Sequence, residues 1–320
     1  MKSIKLWLSL SLLLVLPLLL NACAFGPQAA PEKKLKLGLL PILDVLPFYI
    51  AQDKGYFEAE GLQVELVPVK SAQERDALIQ AGEIDGQLND LISTVLLDRE
   101  QAQVKIVAKA RKAYPDFPQF RIVAAPGVTV SSPADLANVP IGISQNSVIE
   151  YMNDRLLVDW GLPADQIAIE EVSAIPTRFE LLMNGQLKAA LLPDPMGQAA
   201  IAGGASLVID DTKIPEYSQS VLSFSTTALE NKPEAVRAFL RAWNKAVADL
   251  NKDPNAYRNV LVEKTRVPES IQGTYNVPPF PENEITSQDE WDDVVKWAQD
   301  KGLIEQPVAY DTAVDKSFMQ

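Results

Sequence analysis

The feature that most constrains the fold of this 320-residue chain is an internal repeat of alternating strand and helix patterns. Short apolar runs typical of buried strands alternate with segments of helical apolar spacing, and the same order begins again near residue 141. The matching positions of the two halves are Gly61-Leu62 with Gly161-Leu162, Leu78-Ile79 with Leu181-Leu182, Gly82 with Gly185, and Asp90 with Asp194. Because strands that alternate with helices form parallel sheets covered on both faces, the repeat predicts an α/β protein with two similar, doubly wound lobes.

The predicted elements assign each part of the chain to a lobe. In the first half, strands are predicted at 35–40, 64–69, 86–89 and 104–108, and helices at 45–60, 71–83 and 91–99. In the second half, strands are predicted at 141–144, 167–172 and 189–192, and helices at 148–160 and 176–185. Two crossover strands, 120–125 and 221–227, are expected to carry the chain to the second lobe and back. The first lobe is then 35–122 and 223–320, with C-terminal helices, and the second lobe is 123–222.

One of these C-terminal helices is predicted over 235–250. Its apolar residues recur at helical spacing and share one face, a pattern typical of core packing. They are Val236, Phe239, Leu240, Trp243 and Val247.

The N-terminus resembles a targeting signal. Lys2 and Lys5 precede an apolar stretch, 6–20, which is too short for a membrane-spanning helix but suits the apolar core of a signal peptide. The segment Leu20–Cys23 (LNAC) resembles the lipobox of bacterial lipoprotein precursors. This resemblance implies a signal peptide over 1–22, lipidation of Cys23, a tether over 23–34, and a location on the extracytoplasmic face of the cell membrane. An uncleaved membrane anchor, or secretion with an incidental thiol, is the alternative.

The composition excludes several kinds of catalytic site. The chain has no histidine and one cysteine, which removes Ser-His-Asp and Cys-His nucleophilic sites as well as His-ligated zinc. It has no GxGxxG or GxxxxGK[ST] loop, and we expect neither a cofactor nor a metal. A formal net charge of −13 argues against nucleic acid as a partner. Hydrolysis by a pair of carboxylates is the common acid–base chemistry that stays open.

Several segments, in order, resemble one family. The segment DVLPFYIAQDKGYFEAEGLQVELVPV, which begins at Asp44, resembles the opening of periplasmic solute-binding proteins of the sulfonate, nitrate and thiamine-pyrimidine group. The resemblance continues through AGEIDGQLND, QLKAALLPDPMGQAAIAGG, TYNVPPFP and WAQDKGLIEQPVAYDTAVDKSF. It implies a bilobal type II periplasmic-binding-protein fold that closes on a small molecule and delivers it to the permease and ATPase subunits of an ABC importer. It also implies a monomer that binds rather than catalyses.

Polar side chains follow the predicted strands of both lobes, and ligands of open α/β sheets bind at such strand ends. We expect the ligand site to contain Asp44, Tyr49, Asn89, Asp90, Ser144, Asn146, Ser147, Asp194, Ser223 and Ser225. A helix-capping role is the alternative for Asp90, Ser147 and Asp194, and a solvated turn is the alternative for Asp44. A cluster of loop aromatics forms either a pocket wall or a surface patch: Tyr114, Phe117 and Phe120.

The charges around this site bear on the ligand. The expected rim carries Asp44, Asp90, Glu150 and Asp194, with Arg121 and Arg178 as the nearest counter-charges. Because buried carboxylates beside an anion are costly unless paired, the rim favours a neutral or weakly basic heteroaromatic ligand that stacks on Tyr or Phe. Among ligands of the resembled family, riboflavin and the aminopyrimidine of thiamine meet that description. An aliphatic sulfonate, taurine or nitrate is the alternative ligand, and a carboxylate-pair hydrolase is the alternative of another class.

Overall fold

The computed structural model, which describes residues 33–265 and 267–319, contains two five-stranded sheets. The strands are β1 Lys33–Leu39, β2 Leu62–Pro68, β3 Gly86–Asn89, β4 Val104–Lys112, β5 Phe120–Ala124, β6 Pro140–Ile143, β7 Ala168–Glu171, β8 Ala189–Pro193, β9 Ser206–Asp210 and β10 Gln219–Ser225. The first sheet has the order β2-β1-β3-β10-β4, and the second has the order β7-β6-β8-β5-β9. The predicted signal peptide, Cys23 and the tether as far as residue 32 lie outside the described residues.

Helices connect the strands and complete each lobe. They are α1 Leu46–Asp53, α2 Tyr56–Ala59, α3 Ala72–Gln80, α4 Leu91–Asp98, α5 Val148–Trp160, α6 Ile175–Met183, α7 Met196–Ala202, α8 Thr226–Asn231, α9 Pro233–Lys252, α10 Arg258–Lys264, α11 Gln288–Asp300 and α12 Tyr310–Ala313. The single helix predicted over 45–60 is two helices, because Gly55 adopts the left-handed conformation (φ 67°) between α1 and α2. Within the described ranges, no helix is both long and apolar enough to cross a bilayer.

The two sheets repeat one arrangement. In the first sheet β1 pairs in parallel with β2 and β3, and in the second β6 pairs in parallel with β7 and β8. Each sheet is extended by an antiparallel strand, β10 beside β3 and β5 beside β8, and then by one edge strand. The predicted two-lobed α/β fold is therefore confirmed, and the carboxyl ends of three parallel strands meet at one edge of each sheet.

The chain passes between the sheets at different residues from those expected. The stretch predicted as the outward crossover forms β5, which pairs with β8 from Phe120 opposite Pro193 to Ala124 opposite Ala189. The predicted return crossover forms β10, which pairs with β4 along its length. The passages therefore lie at 113–119 and 211–218, and the expected lobe boundaries at 122/123 and 222/223 fall inside strands. Likewise Lys33 and Lys34, assigned to the tether, are the first residues of β1.

The first lobe is built around the long helix α9. All five apolar residues expected on its inner face are buried: Val236, Phe239, Leu240, Trp243 and Val247. The rings of Phe48 and Trp243 meet edge to face with their centroids 4.7 Å apart, and Phe57 stacks on Phe239 at 5.8 Å. This aromatic cluster fixes α1 and α2 against α9, and so positions the loop that precedes α1.

The C-terminal helix α11 contacts both lobes. Its Trp291 and Trp297 belong to the apolar cluster that also contains Leu91 of α4 and Tyr151 of α5. The hydroxyl of Tyr151 donates to Asp293 at 2.5 Å, and the indole of Trp297 donates to Asp154 of α5 at 3.1 Å. Helix α11 therefore packs against a helix of each sheet.

Candidate functional site

A cavity that opens to solvent lies where the strand ends of the two sheets face each other. The first lobe contributes the turn after β1, the start of α3 and the end of β3, and the second contributes the ends of β6, β7 and β8. Its polar lining residues are Asp44, Ser71, Arg75, Asn89, Asp90, Gln119, Ser144, Ser147, Ser173, Arg178 and Ser220. The two lobes touch at its rim, where the Gln73 amide donates to Glu171 at 3.4 Å.

The structure brings part of the expected site together in this cavity. The residues that line it are Asp44, Asn89, Asp90, Ser144 and Ser147. Ser223 stands behind them, where its hydroxyl accepts a hydrogen bond from the Asn89 amide at 2.9 Å. These side chains follow β1, β3 and β6, or lie beside them on β10, as expected for residues at parallel strand ends.

Five expected residues do not line the cavity: Ser223, which lies behind it, Asp194, described below, and three that lie elsewhere. Tyr49 packs at the edge of the first core, with the ammonium of Lys264 5.8 Å from its ring centroid. Asn146 is exposed in a left-handed turn (φ 55°). Ser225 caps α8 by accepting from the Ala228 N–H at 3.1 Å. Because β10 is antiparallel, Ser225 lies opposite the start of β4, at the far edge of the sheet from the cavity.

Asp44 is a buried ion-pair partner rather than a solvated turn residue. One carboxylate oxygen accepts from the Arg111 guanidinium at 3.2 Å. The other accepts from the Gln119 amide at 2.9 Å and from the Ser220 hydroxyl at 2.5 Å. Since Gln119 lies in the first passage between the sheets and Ser220 near the end of the second, Asp44 ties the first lobe to both connections.

Asp90 both caps a helix and lines the cavity. One oxygen accepts from the Ser93 N–H at 2.8 Å, which caps α4, and the other accepts from Arg75 at 3.3 Å. Burial raises the pKa of Asp90, and the positive charge of Arg75 opposes that rise. Asp90 can therefore cap α4 and form part of the cavity wall at the same time.

Asp194 neither caps a helix nor lines this cavity. Its carboxylate forms a two-point ion pair with Arg121, at 2.8 Å to Nε and 3.0 Å to Nη2, while α7 begins after Pro195 without a side-chain cap. The pair borders a separate polar cavity beside Tyr275. Of the loop aromatics, Phe120 lines the main cavity, whereas Phe117 borders the second one and exchanges backbone hydrogen bonds with Tyr114.

The carboxylates of the expected rim are neutralised. Asp44, Asp90 and Asp194 are paired with arginines, as described above. The fourth carboxylate, Glu150, pairs with Lys301 at 2.9 Å and lies outside the cavity. Of the two counter-charges expected from the sequence, Arg121 pairs with Asp194, and because the rim carboxylates are paired, they no longer argue against an anionic ligand. Two of the partners, Arg75 and Arg111, were missed from sequence, although Arg75 is the fourth residue of α3, which lies within the helix predicted over 71–83.

Arg178 is the cavity cation without a carboxylate partner. Its Nη1 donates to the Val172 carbonyl at 2.7 Å, and within the described residues neither Nε nor Nη2 has a hydrogen-bond partner. Burial lowers the pKa of Arg178 to about 10, against the opposing influence of Glu171. Two further buried atoms of the cavity wall lack a partner among the described residues, the Asn89 side-chain oxygen and the Ser144 hydroxyl.

Comparison with known proteins agrees with this arrangement. The family model described as NMT1/THI5 like matches residues 43–257. The chain belongs to the NMT1/THI5-like family. Solved structures give the same fold to this NMT1/THI5-like chain: the alkanesulfonate-binding protein SsuA of Xanthomonas axonopodis pv. citri, bound to MOPS, has a TM-score of 0.75 at 18% identity, over 90% of this chain and 99% of that one.

Two relatives match the NMT1/THI5-like chain along nearly its whole length. The formylaminopyrimidine-binding protein of Halalkalibacterium halodurans is 24% identical over 337 residues, which cover 98% of each chain. The riboflavin-binding protein RibY of Chloroflexus aurantiacus is 24% identical over 354 residues, which cover 98% of this chain and 97% of RibY. Both relatives are binding proteins by name.

The cavity of this NMT1/THI5-like protein is equipped to bind and orient a ligand. Both carboxylates in its wall, Asp44 and Asp90, are held by buried arginines. A pair of carboxylates that hydrolyses a substrate must act as acid and as base or nucleophile, and arginine-paired carboxylates are poorly placed to do so. Within the described ranges, no group of three His, Cys, Asp or Glu side chains is arranged to hold a metal ion.

Proposed function

We propose that this chain is the substrate-binding component of an ABC importer and that it captures a small heteroaromatic compound, such as riboflavin or the aminopyrimidine of thiamine. One observation carries the proposal. The cavity between the lobes gathers buried polar atoms that have no partner among the described residues, the Asn89 side-chain oxygen from the first lobe and the Ser144 hydroxyl and the Nε and Nη2 atoms of Arg178 from the second. Because unpartnered buried polar groups cost free energy, their convergence favours a ligand that completes their hydrogen bonds.

The rest of the cavity wall suits a planar ring. Its apolar residues come from both lobes and are Leu40, Ile42, Ala72, Leu88, Phe120, Val148, Ile149, Ile175 and Pro193. An apolar wall with a few convergent polar groups is the usual composition of small-molecule sites. The names of the two long relatives, a formylaminopyrimidine-binding and a riboflavin-binding protein, support this ligand class.

Capture by lobe closure follows from the placement of these groups. A ligand that contacts Asn89 and Ser144 together is held by both lobes, so it stabilises the conformation in which they approach each other. The Gln73 amide and Glu171 meet across the rim at 3.4 Å, a contact that approach of the lobes would retain. The closed form would then dock on a permease with its ATPase, as a monomer held at the extracytoplasmic face of the membrane by a lipid on Cys23.

One observation favours a second ligand class. Arg178 presents an uncompensated buried charge to the cavity, and a sulfonate or nitrate would neutralise it. The carboxylate-pair hydrolase receives no such support, because arginines hold the cavity carboxylates.

A thermal-shift panel tests the function. The purified protein is melted with riboflavin, the aminopyrimidine of thiamine, taurine, an alkanesulfonate and nitrate. A specific ligand at a hundredfold excess over its Kd adds about 2.7 kcal/mol to the free energy of unfolding and raises Tm by several degrees. A rise with riboflavin or the pyrimidine supports the proposal, and a rise confined to the sulfonates or nitrate contradicts it. Loss of incorporated palmitate in Cys23→Ser tests the lipid anchor separately.

A further inference from the structure

Arg75 and Arg178 occupy equivalent positions in the two lobes. The alignment that pairs Leu78 with Leu181 also pairs the two arginines, and each is the fourth residue of its helix, α3 or α6. Both are fully buried, and the stem of each crosses a strand at a glycine. A Cβ at Gly38 would come within 3.5 Å of Arg75 Cγ, and one at Gly142 within 3.4 Å of Arg178 Cγ.

The two guanidinium groups differ in their partners. Arg75 donates to the Leu88 carbonyl at 3.0 Å, to the Ser93 hydroxyl at 2.7 Å, to Asp76 at 2.9 Å and to Asp90 at 3.3 Å. Among residues 33–265 and 267–319, Arg178 donates only to the backbone carbonyl of Val172. Burial acts to lower the pKa of both groups; Asp76 and Asp90 overcome it and raise the pKa of Arg75, whereas the pKa of Arg178 stays lowered.

The unpartnered atoms of Arg178 define the shape of what it can bind. Nε and Nη2 form one edge of the planar guanidinium, and their N–H bonds are nearly parallel. Such an edge takes two neighbouring acceptor atoms at once, which is the geometry of arginine with carboxylate and phosphate. Arg178 lines the cavity, and a buried guanidinium edge with no acceptor is costly.

We infer that Arg178 anchors the ligand by donating hydrogen bonds from Nε and Nη2 to two adjacent acceptor atoms on one ligand group. Two sources share this chemistry. One is an anionic group, a sulfonate or carboxylate, and the other is the edge of a heteroaromatic ring that carries a carbonyl beside an imine nitrogen, as in the flavin ring. The inference rests on the proposed function in one respect, that the cavity between the lobes is a ligand site.

The test compares Arg178→Met and Arg178→Lys with the wild-type protein. Methionine keeps the apolar stem over Gly142 without the charge, and lysine keeps the charge without the two-point edge. Arg241→Met is the matched control, since Arg241 is an exposed residue of α9 that pairs with Glu60 at 2.8 Å, outside the cavity wall. Affinities for riboflavin, the aminopyrimidine of thiamine, benzenesulfonate and nitrate are measured by calorimetry, and Tm is measured without ligand.

We expect Arg178→Met to weaken the binding of the best probe about 10- to 100-fold, as for loss of hydrogen bonds to a charged group. Arg178→Lys is expected to fall between Arg178→Met and the wild type, and Arg241→Met to bind like the wild type. Without ligand, Arg178→Met should melt at or above the wild-type Tm, because the unpartnered charge is gone. A Tm that falls by several degrees would assign Arg178 a structural role and overturn the inference.

The outcomes separate the inference from the proposed function. Riboflavin or pyrimidine binding that Arg178→Met leaves unchanged supports the function and overturns the role of Arg178. Binding confined to benzenesulfonate or nitrate and lost in Arg178→Met supports the role of Arg178 and overturns the heteroaromatic ligand. If no probe binds the wild-type protein, both are overturned.

Discussion

The two lobes carry an aspartate and an arginine at matching positions, but they pair these charges differently. In the first lobe, Asp90 follows β3 and pairs with Arg75 of the neighbouring helix. In the second lobe, Asp194 follows β8, but Arg121 of β5 takes it in a two-point ion pair. Arg178, the counterpart of Arg75, has no carboxylate partner in the part of the chain that the structure describes. When one of two equivalent arginines is paired and the other is not, the arginine without a partner is the one to examine for ligand binding.

The largest expected effect, and the strongest test of the difference between the two arginines, is the stability loss caused by replacing Arg75 in the first lobe. Arg75→Met removes every hydrogen bond that Arg75 donates and leaves the buried Asp90 without its ion-pair partner. We expect the free energy of unfolding to fall by about 3–5 kcal/mol, as for other broken buried ion pairs. Urea titration measures this loss. If Arg75→Met is as stable as Arg178→Met, the two arginines do not differ in the way their contacts indicate.

Two buried aspartates, Asp98 and Asp211, allow the lobes to be compared through the pH dependence of stability. The carboxylate of Asp98 accepts N–H bonds from Gln103 and Val104 at the start of β4, and Asp211 accepts them from Gln119 and Phe120 at the start of β5. Burial raises the pKa of Asp98 to about 6 and that of Asp211 to about 7. Both folded-state pKa values exceed the pKa of an aspartate in the unfolded chain. At any pH between the unfolded-state value and the folded-state value, the folded protein therefore holds a proton that the unfolded chain releases, and this favours the folded state.

Stability should therefore fall as pH rises. The contribution of each carboxyl group is complete below about pH 4 and is lost as pH passes the folded-state value, near 6 for Asp98 and near 7 for Asp211. For Asp211 the loss between pH 5 and pH 8 is about 2–3 kcal/mol. Urea titrations across this range measure it, and Asp211→Asn should flatten the upper part of the profile while Asp98→Asn flattens the lower part. A profile that rises with pH and is unchanged in both variants would contradict the assignment.

The sequence was sufficient for the framework because strand and helix signals are local. The bounds of β3 and α5 are the predicted ones, 86–89 and 148–160, and the repeat identified the strand ends that form the cavity. The direction of β10 was not readable, because an antiparallel strand has the same composition as a parallel one. That direction places Ser223 behind the cavity wall and Ser225 at the opposite edge.

The charge pairing of the site was the part that sequence did not reveal. Asp44 and Arg111 are 67 residues apart, and Asp90 and Arg75 are 15 apart, so their contacts arise only when the sheet and its helices pack. One local signal was present in the repeat. Arg75 and Arg178 fall at equivalent positions, and this equivalence singles out Arg178 for comparison before any contact is known.

The smallest effect that sharpens the comparison concerns two serines of the cavity wall. Ser71 in the first lobe caps α3 by accepting from the Glu74 N–H at 3.2 Å, whereas the Ser144 hydroxyl in the second lobe has no partner among the described residues. We expect Ser71→Ala to lower the free energy of unfolding by about 1 kcal/mol and to leave ligand affinity unchanged. Ser144→Ala should weaken ligand binding by about 0.5–1.5 kcal/mol, roughly two- to twelvefold in Kd, and leave stability unchanged. Calorimetric titration and urea unfolding of both variants give the two numbers, and equal losses of affinity would mean that the ligand engages the two lobes alike.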